Sequence, residues 1–253
     1  MFKYLKKMIY GSINYLIELL ASRKYNLIHV VEYPKCGATW VSRLIETYLN
    51  TERSIHDAKI ITNMFIRQKH VLYKPYYNKV VVVLRDPRDV YVSFYFHEVY
   101  LKKDKKLLTN MGYNGSLSDQ ANFKKYLLYK LNNPQSLSPG FSFSEFYRSW
   151  IDKPNIHIVH YEQLHNNPEE ALVGIVKYLG YEINDSQINK SIKRHEFKNI
   201  TGREKGQEDK NSHKRKGIVG DWKNYFTDEL SDIMDQMEND IVDKITLNQI
   251  PVE

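Results

Sequence analysis

A ten-residue stretch, VEYPKCGATW at residues 31–40, has the residue types of an anion-binding loop. It follows an apolar run and precedes a helical pattern that starts near Thr39. In such a turn the backbone N–H groups and the helix dipole converge on one small volume that attracts anions. Lys35 adds a positive charge, Thr39 a hydroxyl, and Trp40 a flat face on which a base can stack. The alternative is a plain strand-to-helix turn with a surface lysine.

A second stretch, VLRDPRDVYVSFYF, combines an arginine with a hydroxyl. Arg85 follows an apolar strand pattern, so we expect it in the crevice beyond the carboxyl ends of parallel strands. Ser93 comes about two helical turns later and is expected to face the same crevice. An arginine fork beside a hydroxyl suits a phosphate monoester. The alternative is a structural ion pair with Asp86 or Asp89, an explanation that fits Arg88 better.

A third stretch, HKRKGIVGDWKNYFT, places two cations beside a flexible backbone near the C-terminus. Arg215, Lys216 and Gly217 suit a phosphate, although the run taken alone also fits a solvated charged segment. The chain has a net charge of +7, which favours an anionic partner. A small polyanionic ligand, a nucleic acid and a membrane surface all meet that requirement.

Strand and helix patterns alternate around these motifs. Short runs rich in β-branched residues predict strands buried on both faces at residues 27–33, 79–84 and 156–160. Helical patterns are found at residues 39–49, 86–100 and 168–179, with a last apolar helical face at 230–241. This alternation predicts an α/β fold, a mostly parallel β-sheet flanked by helices, in a single domain over residues 1–253.

Three further segments can be assigned from their composition: two polar stretches and one amphipathic stretch. The polar stretches 102–115 and 201–216 predict long loops that act as lids or are disordered. Residues 1–21 carry apolar side chains at helical spacing between lysines, which predicts an N-terminal amphipathic helix. Its charges exclude a membrane span, so it either packs on the core or makes a weak contact with a membrane surface.

The cysteine content bears on the cellular compartment. Cys36 is the only cysteine among 253 residues, so no internal disulfide framework can form. Because no signal-peptide pattern is visible either, the sequence predicts a reducing, cytoplasmic location.

Taken together, the three motifs resemble the PAPS-dependent sulfotransferases, closest to the cytosolic type. YPKCGATWVSRLIE resembles the 5′-phosphosulfate loop of that family, LRDPRDVYVS its 3′-phosphate motif, and RKGIVGDWKNYFT its C-terminal signature. VHYEQLHNNPEEALVGIVKYLG is similar to a family segment that contributes a nucleotide-contacting tyrosine, here Tyr161. The resemblance covers about residues 27–227 and implies the P-loop-like sulfotransferase fold.

The resemblance also implies the ligands. The donor would be 3′-phosphoadenosine 5′-phosphosulfate (PAPS), the product adenosine 3′,5′-bisphosphate (PAP), and no metal would take part. The implied contacts of the 5′-phosphosulfate are Lys35, Cys36, Gly37, Ala38, Thr39 and Trp40. The implied contacts of the rest of the nucleotide are Arg85, Ser93, Tyr161, Phe197, Arg215, Lys216 and Gly217. Lys35 would also be catalytic, because it would stabilise charge on the bridging oxygen.

Sulfuryl transfer to a hydroxyl or amine of a small-molecule acceptor requires a general base. The family places its base in a Lys-Thr-His element before the second predicted strand, where this chain has Gln68-Lys69-His70. We therefore expect His70 to be the base, with His56 as the runner-up. Because Lys69 is displaced by one position, its role stays open. The acceptor pocket is expected in the aromatic-rich loops at residues 50–68, 95–113 and 132–150.

Three departures from the family pattern stand close to the implied site. Cys36 replaces a serine, and a lone thiol in an anion site is expected to be acid-shifted and oxidisable. Ala38 replaces a threonine and loses a hydroxyl contact. His195 and Glu196 stand near the positions where the family has Thr-Ser beside the adenine.

Other classes of protein stay open on the residues alone. A P-loop-type nucleotide kinase would need G-x-x-x-x-G-K-[ST] and a magnesium-binding carboxylate, and neither is evident. A non-catalytic module that binds anions or membranes would use the basic charge and the N-terminal helix. The dimer motif of the family is matched at Lys223 and Thr227 but has Asp228 at its apolar position, so a monomer and a dimer both fit. Nucleic acid is not an expected partner.

Overall fold

The computed structural model describes residues 27–55, 64–136, 138–238 and 245. The predicted helix at residues 1–21 and the alternative base His56 lie outside these ranges. Within them, each helix is too short or too polar to traverse a lipid bilayer.

Five parallel strands form one sheet in the order β2-β3-β1-β4-β5. The strands are β1 Ile28–Glu32, β2 Glu52–Ile55, β3 Met64–Lys69, β4 Lys79–Leu84 and β5 Ile156–His160. The three predicted strands are confirmed as β1, β4 and β5, with β1 one residue shorter at each end than predicted. The sequence analysis missed β2 and β3, because ERSI and MFIRQK lack the continuous apolar character of a strand buried on both faces.

The strand order determines where a ligand can bind. Strand β1 pairs with β3 on one side and with β4 on the other, although β3 and β4 both follow it in the chain. Connections that leave the central strand toward opposite sides open a crevice beyond its carboxyl end. The segments that follow β3, β1, β4 and β5 all start at that edge, because the strands are parallel.

Ten α-helices surround the sheet in the part of the chain that is described. They are α1 Ala38–Leu49, α2 Pro87–Phe96, α3 Lys105–Asn110, α4 Asp119–Asn132, α5 Phe143–Trp150, α6 Tyr161–Asn166, α7 Pro168–Leu179, α8 Asp185–His195, α9 Phe197–Thr201 and α10 Asp228–Glu238. A π-helical segment, His97–Lys102, continues α2, and 3₁₀ turns lie at Pro134–Ser136 and Asp221–Asn224.

Helix α7 has its predicted bounds. Capping residues explain where it begins and ends. The Asn167 side chain accepts a hydrogen bond from the N–H of Glu170 at 3.3 Å, and Pro168 occupies the first turn. Gly180 ends the helix with a left-handed φ of 81°.

One predicted helix ends earlier than expected, and two predicted loops are more ordered than their composition indicates. The helix predicted over residues 86–100 ends at Phe96 and continues as the π-helical segment. The predicted loop 102–115 contains α3, which is capped by the Asp104 carboxylate. In the loop 201–216, the guanidinium of Arg203 donates to the backbone carbonyls of Gln207, Lys214 and Arg215, which folds this segment onto itself.

The core lies on both faces of the sheet. Five consecutive residues of β4, Val80 to Leu84, are at most 2% exposed, so helices must cover both sides of this strand. On α1, Val41, Leu44 and Ile45 are buried against the sheet. Next to the loop that follows β1, the Tyr33 ring is surrounded by aromatic rings, the nearest being Phe143 at 5.3 Å between centroids. The loop that follows β1 therefore lies on tightly packed aromatic side chains.

Leu44 tests this placement of the core, because its side chain is 0% exposed. Leu44→Ala is expected to lower the free energy of unfolding by about 2–5 kcal/mol, since the deletion leaves a cavity. Leu117 is 42% exposed, and Leu117→Ala is expected to change stability by no more than about 0.5 kcal/mol. Urea denaturation followed by circular dichroism measures both, and equal losses would contradict this assignment of the core.

Candidate active site

Four neighbouring strands deliver the predicted site residues to one edge of the sheet. Lys35 follows β1, His70 follows β3, Arg85 follows β4, and Tyr161 follows β5. Because the strands are parallel and adjacent in the order β3-β1-β4-β5, these four residues start from neighbouring points. The strand order therefore places these four residues at the edge of the sheet where the crevice is predicted.

The turn between β1 and α1 depends on unusual backbone angles. Lys35 and Gly37 have φ values of 82° and 110°. At Gly37 a side chain would also clash, because an added Cβ would lie 2.7 Å from Cδ2 of Tyr161. Helix α1 starts immediately after, as the N–H groups of Trp40 and Val41 donate to the carbonyl of Gly37 at 2.9 and 3.2 Å. The turn thus brings the helix N-terminus against the tyrosine ring.

A carboxylate that the sequence analysis overlooked occupies this turn. Glu32, the last residue of β1, is 4% exposed and accepts hydrogen bonds from the N–H groups of Gly37 and Ala38 at 2.6 and 2.8 Å. The side-chain amide of Gln68 donates to its other oxygen at 3.4 Å and to the Thr39 hydroxyl at 2.9 Å. Charge-assisted bonds at a helix N-terminus are those expected of a bound anion. The only hint in the sequence is an acidic residue directly before the loop.

Lys35 is the charged group of the loop. Burial, with a smaller contribution from the neighbouring cations Arg85 and Lys102, lowers the pKa of its ammonium to about 8, and Glu32 opposes the shift. Lys35 therefore carries its charge at neutral pH and loses it in the mildly alkaline range.

Arg85 lies against the loop and retains an unused donor. Its Nη1 donates to the Lys35 carbonyl at 3.4 Å, and its Cζ lies 4.2 Å from the centroid of the Tyr161 ring. Asp89 is 3.5 Å from Nη2. Among the described residues, none pairs with its buried Nε. A buried guanidinium donor of this kind suits a phosphate oxygen.

Trp40 and Ser93 are two more predicted nucleotide contacts. The Trp40 ring stands 5.9 Å from the Tyr161 ring, nearly perpendicular to it, and its indole nitrogen is buried with no hydrogen-bond partner in the described ranges. Ser93 is half-buried on α2, two turns beyond Arg85.

The charges that follow Arg85 are structural. Asp89 accepts hydrogen bonds from the N–H groups of Gly220 and Trp222 at 2.7 and 2.9 Å, which ties α2 to the C-terminal motif. The Arg88 guanidinium lies 3.7 Å from the Trp222 ring and pairs with Asp86 at 2.6 Å. The structural explanation therefore applies to Arg88, which pairs with Asp86, and in part to Arg85, whose Nη2 lies 3.5 Å from Asp89.

The two predicted phosphate-binding cations of the C-terminal motif already have carboxylate partners. Lys216 pairs with Asp221 at 2.8 Å, and Arg215 pairs with both Asp221 and Glu208. These acids fix the orientation of both side chains and partly neutralise them. The prediction treated the cations as free, because the sequence does not show which acids fold against them.

Gly217 and Phe197 form the closest packing in this part of the site. Gly217 has a φ of 65°, and a Cβ there would collide with the Phe197 ring. The ring, at the first position of α9, is half-buried and borders the C-terminal motif. An aromatic face next to this glycine is compatible with a stacked base.

His70 reaches the anion loop from β3. Its Nδ1 lies 3.3 Å from the backbone oxygen of Glu32 and 3.8 Å from the Glu32 carboxylate, and its side chain is 26% exposed. When Nδ1 donates to that carbonyl, the neutral ring carries its lone pair on Nε2. This tautomer can accept a proton.

Two further histidines, His97 and His213, lie near Lys35. The sequence did not indicate that they are neighbours. The rings of His97 and His213 are 4.9 Å apart between centroids. Burial lowers the pKa of His97 to about 3, with Lys35 and Lys102 adding to the shift. His97 is therefore neutral at physiological pH.

The departures from the family pattern have clear structural consequences. His195 is structural, because its Nε2 lies 2.8 Å from the Thr47 hydroxyl and joins α8 to α1. Glu196 is exposed at the N-cap of α9. Cys36 is fully buried, and burial, together with Glu32, raises the pKa of its thiol well above the ordinary value. The expectation of an acid-shifted, oxidisable thiol is therefore wrong.

These residues fit a ligand with two anionic groups joined by an aromatic base. Arg85 offers a buried donor, the helix N-terminus offers backbone N–H groups, and Tyr161 and Phe197 lie against glycines that leave no space for a side chain. One feature opposes the fit, since Glu32 holds two of the N–H groups. Across the described ranges no cluster of three His, Cys, Asp or Glu side chains could hold a metal ion, and the absence of a metal from the reaction stays a prediction.

Comparison with protein families identifies one match that covers most of the chain. The model of the sulfotransferase domain family matches residues 71–244. The chain is similar to sulfotransferase 6B1 of Danio rerio, with 24% identity over 260 residues that cover 86% of this chain and 78% of the relative. It is also similar to sulfotransferase 1B1 of Mus musculus, with 25% identity over 233 residues that cover 79% of this chain and 77% of the relative.

Solved structures show the same fold. Mouse sulfotransferase SULT7A1 complexed with PAP superimposes with a TM-score of 0.67 and 19% identity, covering 91% of this chain and 92% of that one. Retinol dehydratase in complex with androsterone and the inactive cofactor PAP gives a TM-score of 0.63 and 18% identity, covering 90% and 82%. The predicted sulfotransferase fold is confirmed.

Cys36 gives a direct test of the packing of the loop, because it is the only cysteine. Its buried thiol with a raised pKa is expected to react with iodoacetamide at pH 8 at least about ten times more slowly in the native protein than in urea. Mass spectrometry counts the single adduct over time. Native labelling as fast as unfolded labelling would contradict the burial of the thiol.

Proposed function

Because the chain belongs to the sulfotransferase family, we propose that it transfers the sulfuryl group of PAPS to a hydroxyl or amine of a small-molecule acceptor, with His70 as general base. PAPS dependence is a property of this enzyme class. The observation that supports the catalytic assignment is the position of His70, whose Nδ1 lies 3.3 Å from the backbone of Glu32, three residues before Lys35. The proposed proton acceptor thus contacts the strand end from which the loop with the Lys35 cation starts.

The nucleotide contacts belong to the same proposal. The 5′-phosphosulfate would be held by Lys35, Cys36, Gly37, Ala38, Thr39 and Trp40, of which Ala38 can donate only through its backbone N–H group. The 3′-phosphate would be held by Arg85, Ser93, Arg215, Lys216 and Gly217, with Tyr161 and Phe197 as aromatic surfaces. The unused Nε of Arg85 and the PAP bound in both structural neighbours support this assignment.

In the proposed mechanism His70 receives the proton of the acceptor on Nε2, while Nδ1 stays anchored to the carbonyl of Glu32. Lys35 stabilises the negative charge that develops on the bridging oxygen. Bound PAPS supplies the activated sulfuryl group, and transfer of this kind depends on in-line positioning and charge stabilisation. Lys69 is 8% exposed on β3, and a role for it is not part of the proposal.

Fewer aromatic residues are available to line the acceptor pocket than the sequence of its loops indicates. Most aromatic residues of these loops are core residues with at most 7% exposure, namely Tyr95, Phe96, Phe143, Phe146, Tyr147 and Trp150. Phe141, Tyr100 and Tyr113 are half-buried and remain candidates for the pocket wall. Neutral His97 adds a polar group near Lys35. A small acceptor, rather than nucleic acid, and a cytoplasmic location belong to the same proposal.

Replacement of His70 tests the mechanism. His70→Ala is expected to slow sulfuryl transfer to pooled hydroxyl and amine acceptors by about 10²–10⁴-fold, because general-base catalysis is lost. Mass-spectrometric detection of sulfated products measures the rate. Thermal melting serves as the control for folding, because the His70 side chain is 26% exposed and its replacement is not expected to unfold the protein. Undiminished turnover in the variant would remove His70 from the mechanism.

The pKa of Lys35 predicts the pH dependence of nucleotide binding. Since burial lowers this pKa to about 8, Lys35 loses its charge above that pH, and binding of PAP must then take up a proton. Affinity is expected to fall as pH rises, by up to about tenfold per pH unit above 8. Lys35→Arg keeps its charge, so its affinity is expected to stay flat between pH 7 and 9.5. Calorimetry at several pH values measures both, and parallel curves would contradict the assignment.

A further inference from the structure

The carboxylate of Glu32 lies where the hydrogen-bond donors of the anion loop converge. It is 4% exposed and accepts from the N–H groups of Gly37 and Ala38 at 2.6 and 2.8 Å. Both N–H groups belong to the stretch that the proposed function assigns to the 5′-phosphosulfate. An N–H group that points at one acceptor at so short a distance has little left to donate to another. Glu32 and a 5′-anion therefore compete for the same donors.

We propose that Glu32 is an internal competitor of the donor nucleotide, which holds the loop in the nucleotide-free protein and is displaced when a 5′-phosphosulfate or 5′-phosphate binds. The inference rests on the proposed function, because only a ligand with an anionic 5′-group needs these donors. The role of Glu32 is regulatory: it lowers the affinity of the loop for the nucleotide and so favours release of PAP.

Electrostatics require the displacement. The carboxylate is nearly inaccessible to water, so a phosphate beside it would place like charges in a poorly solvated site. A purely structural cap of the helix N-terminus would need only a neutral acceptor such as an Asn or Ser oxygen. The full negative charge at this position strengthens the cap through the helix dipole, and it also repels a second anion at the same donors.

Other polar groups lie close enough to contact the Glu32 carboxylate after its displacement. Its Oε1 is already 3.4 Å from Nε2 of Gln68 and 3.8 Å from Nδ1 of His70. Rotation away from the loop would bring it closer to the imidazole, where a carboxylate orients the ring and stabilises its protonated form. Occupation of the nucleotide site would in this way be coupled to the orientation of the proposed base, which makes Glu32 a positioning residue for His70.

Calorimetric titrations with two nucleotides test the competition. Glu32→Gln keeps an oxygen that can accept from the loop but removes the charge, so PAP is expected to bind about tenfold or more tightly than to the wild type. Adenosine 3′-monophosphate lacks the 5′-anion, and its affinity is expected to be the same in both proteins. The control Glu229→Gln makes the same change of charge at a surface residue that is 61% exposed, and should leave both affinities unchanged.

An NMR measurement on the wild type avoids dependence on a variant. The amide resonances of Gly37 and Ala38 report the hydrogen bonds to Glu32 directly, and both are expected to shift when PAP saturates the protein. Adenosine 3′-monophosphate is expected to leave them in place. Thermal melting shows whether Glu32→Gln is folded before its affinities are compared.

The outcomes separate this inference from the proposed function. Equal PAP affinity in the wild type and Glu32→Gln, weaker binding by the folded variant, or amide resonances that stay fixed at saturation would each overturn the role of Glu32 alone. A gain of similar size for both nucleotides would also overturn it, because the effect would not involve the 5′-anion. If neither nucleotide binds either protein at millimolar concentration, the proposed function itself fails.

Discussion

The site depends on one electrostatic requirement: the N–H groups at the start of α1 must have an acceptor, and an anionic acceptor is favoured at a helix N-terminus. The turn after β1 directs the N–H groups of Gly37 and Ala38 into a small buried volume, where unsatisfied donors would be costly. In the structure the carboxylate of Glu32 meets this requirement. The same carboxylate contacts Gln68 and lies near His70, so the anion loop and the proposed base share one acidic residue.

The parallel sheet turns this local requirement into a site with several components. Four adjacent strands end at the same edge, and each contributes a residue of a different chemical type: a lysine after β1, a histidine after β3, an arginine after β4 and a tyrosine after β5. Aromatic side chains packed around Tyr33 support the loop from beneath. This edge of the sheet brings together groups that are far apart in the chain.

Asp89 supplies the second constraint, because it connects the arginine-bearing helix to the C-terminal motif. Its two hydrogen bonds to Gly220 and Trp222 hold that motif against α2, and Asp221 in turn orients Arg215 and Lys216. The C-terminal cations are thus positioned by acids rather than left to solvent. The positive charge of the C-terminal motif is thus partly neutralised in the fold.

Local sequence was sufficient for features that depend on neighbouring residues. Continuous apolar runs identified β1, β4 and β5, and the Asn-Pro start and the final glycine identified α7 at its bounds. The motifs around Lys35 and Arg85, read as a family resemblance, identified the fold and the enzyme class. The role of Glu32 was beyond the reach of this reasoning, as were β2, β3 and the acids that pair with Arg215. Each of these depends on which distant segments pack together, because partly polar strands form only beside a neighbour and a buried charge acts only on the groups that folding brings to it.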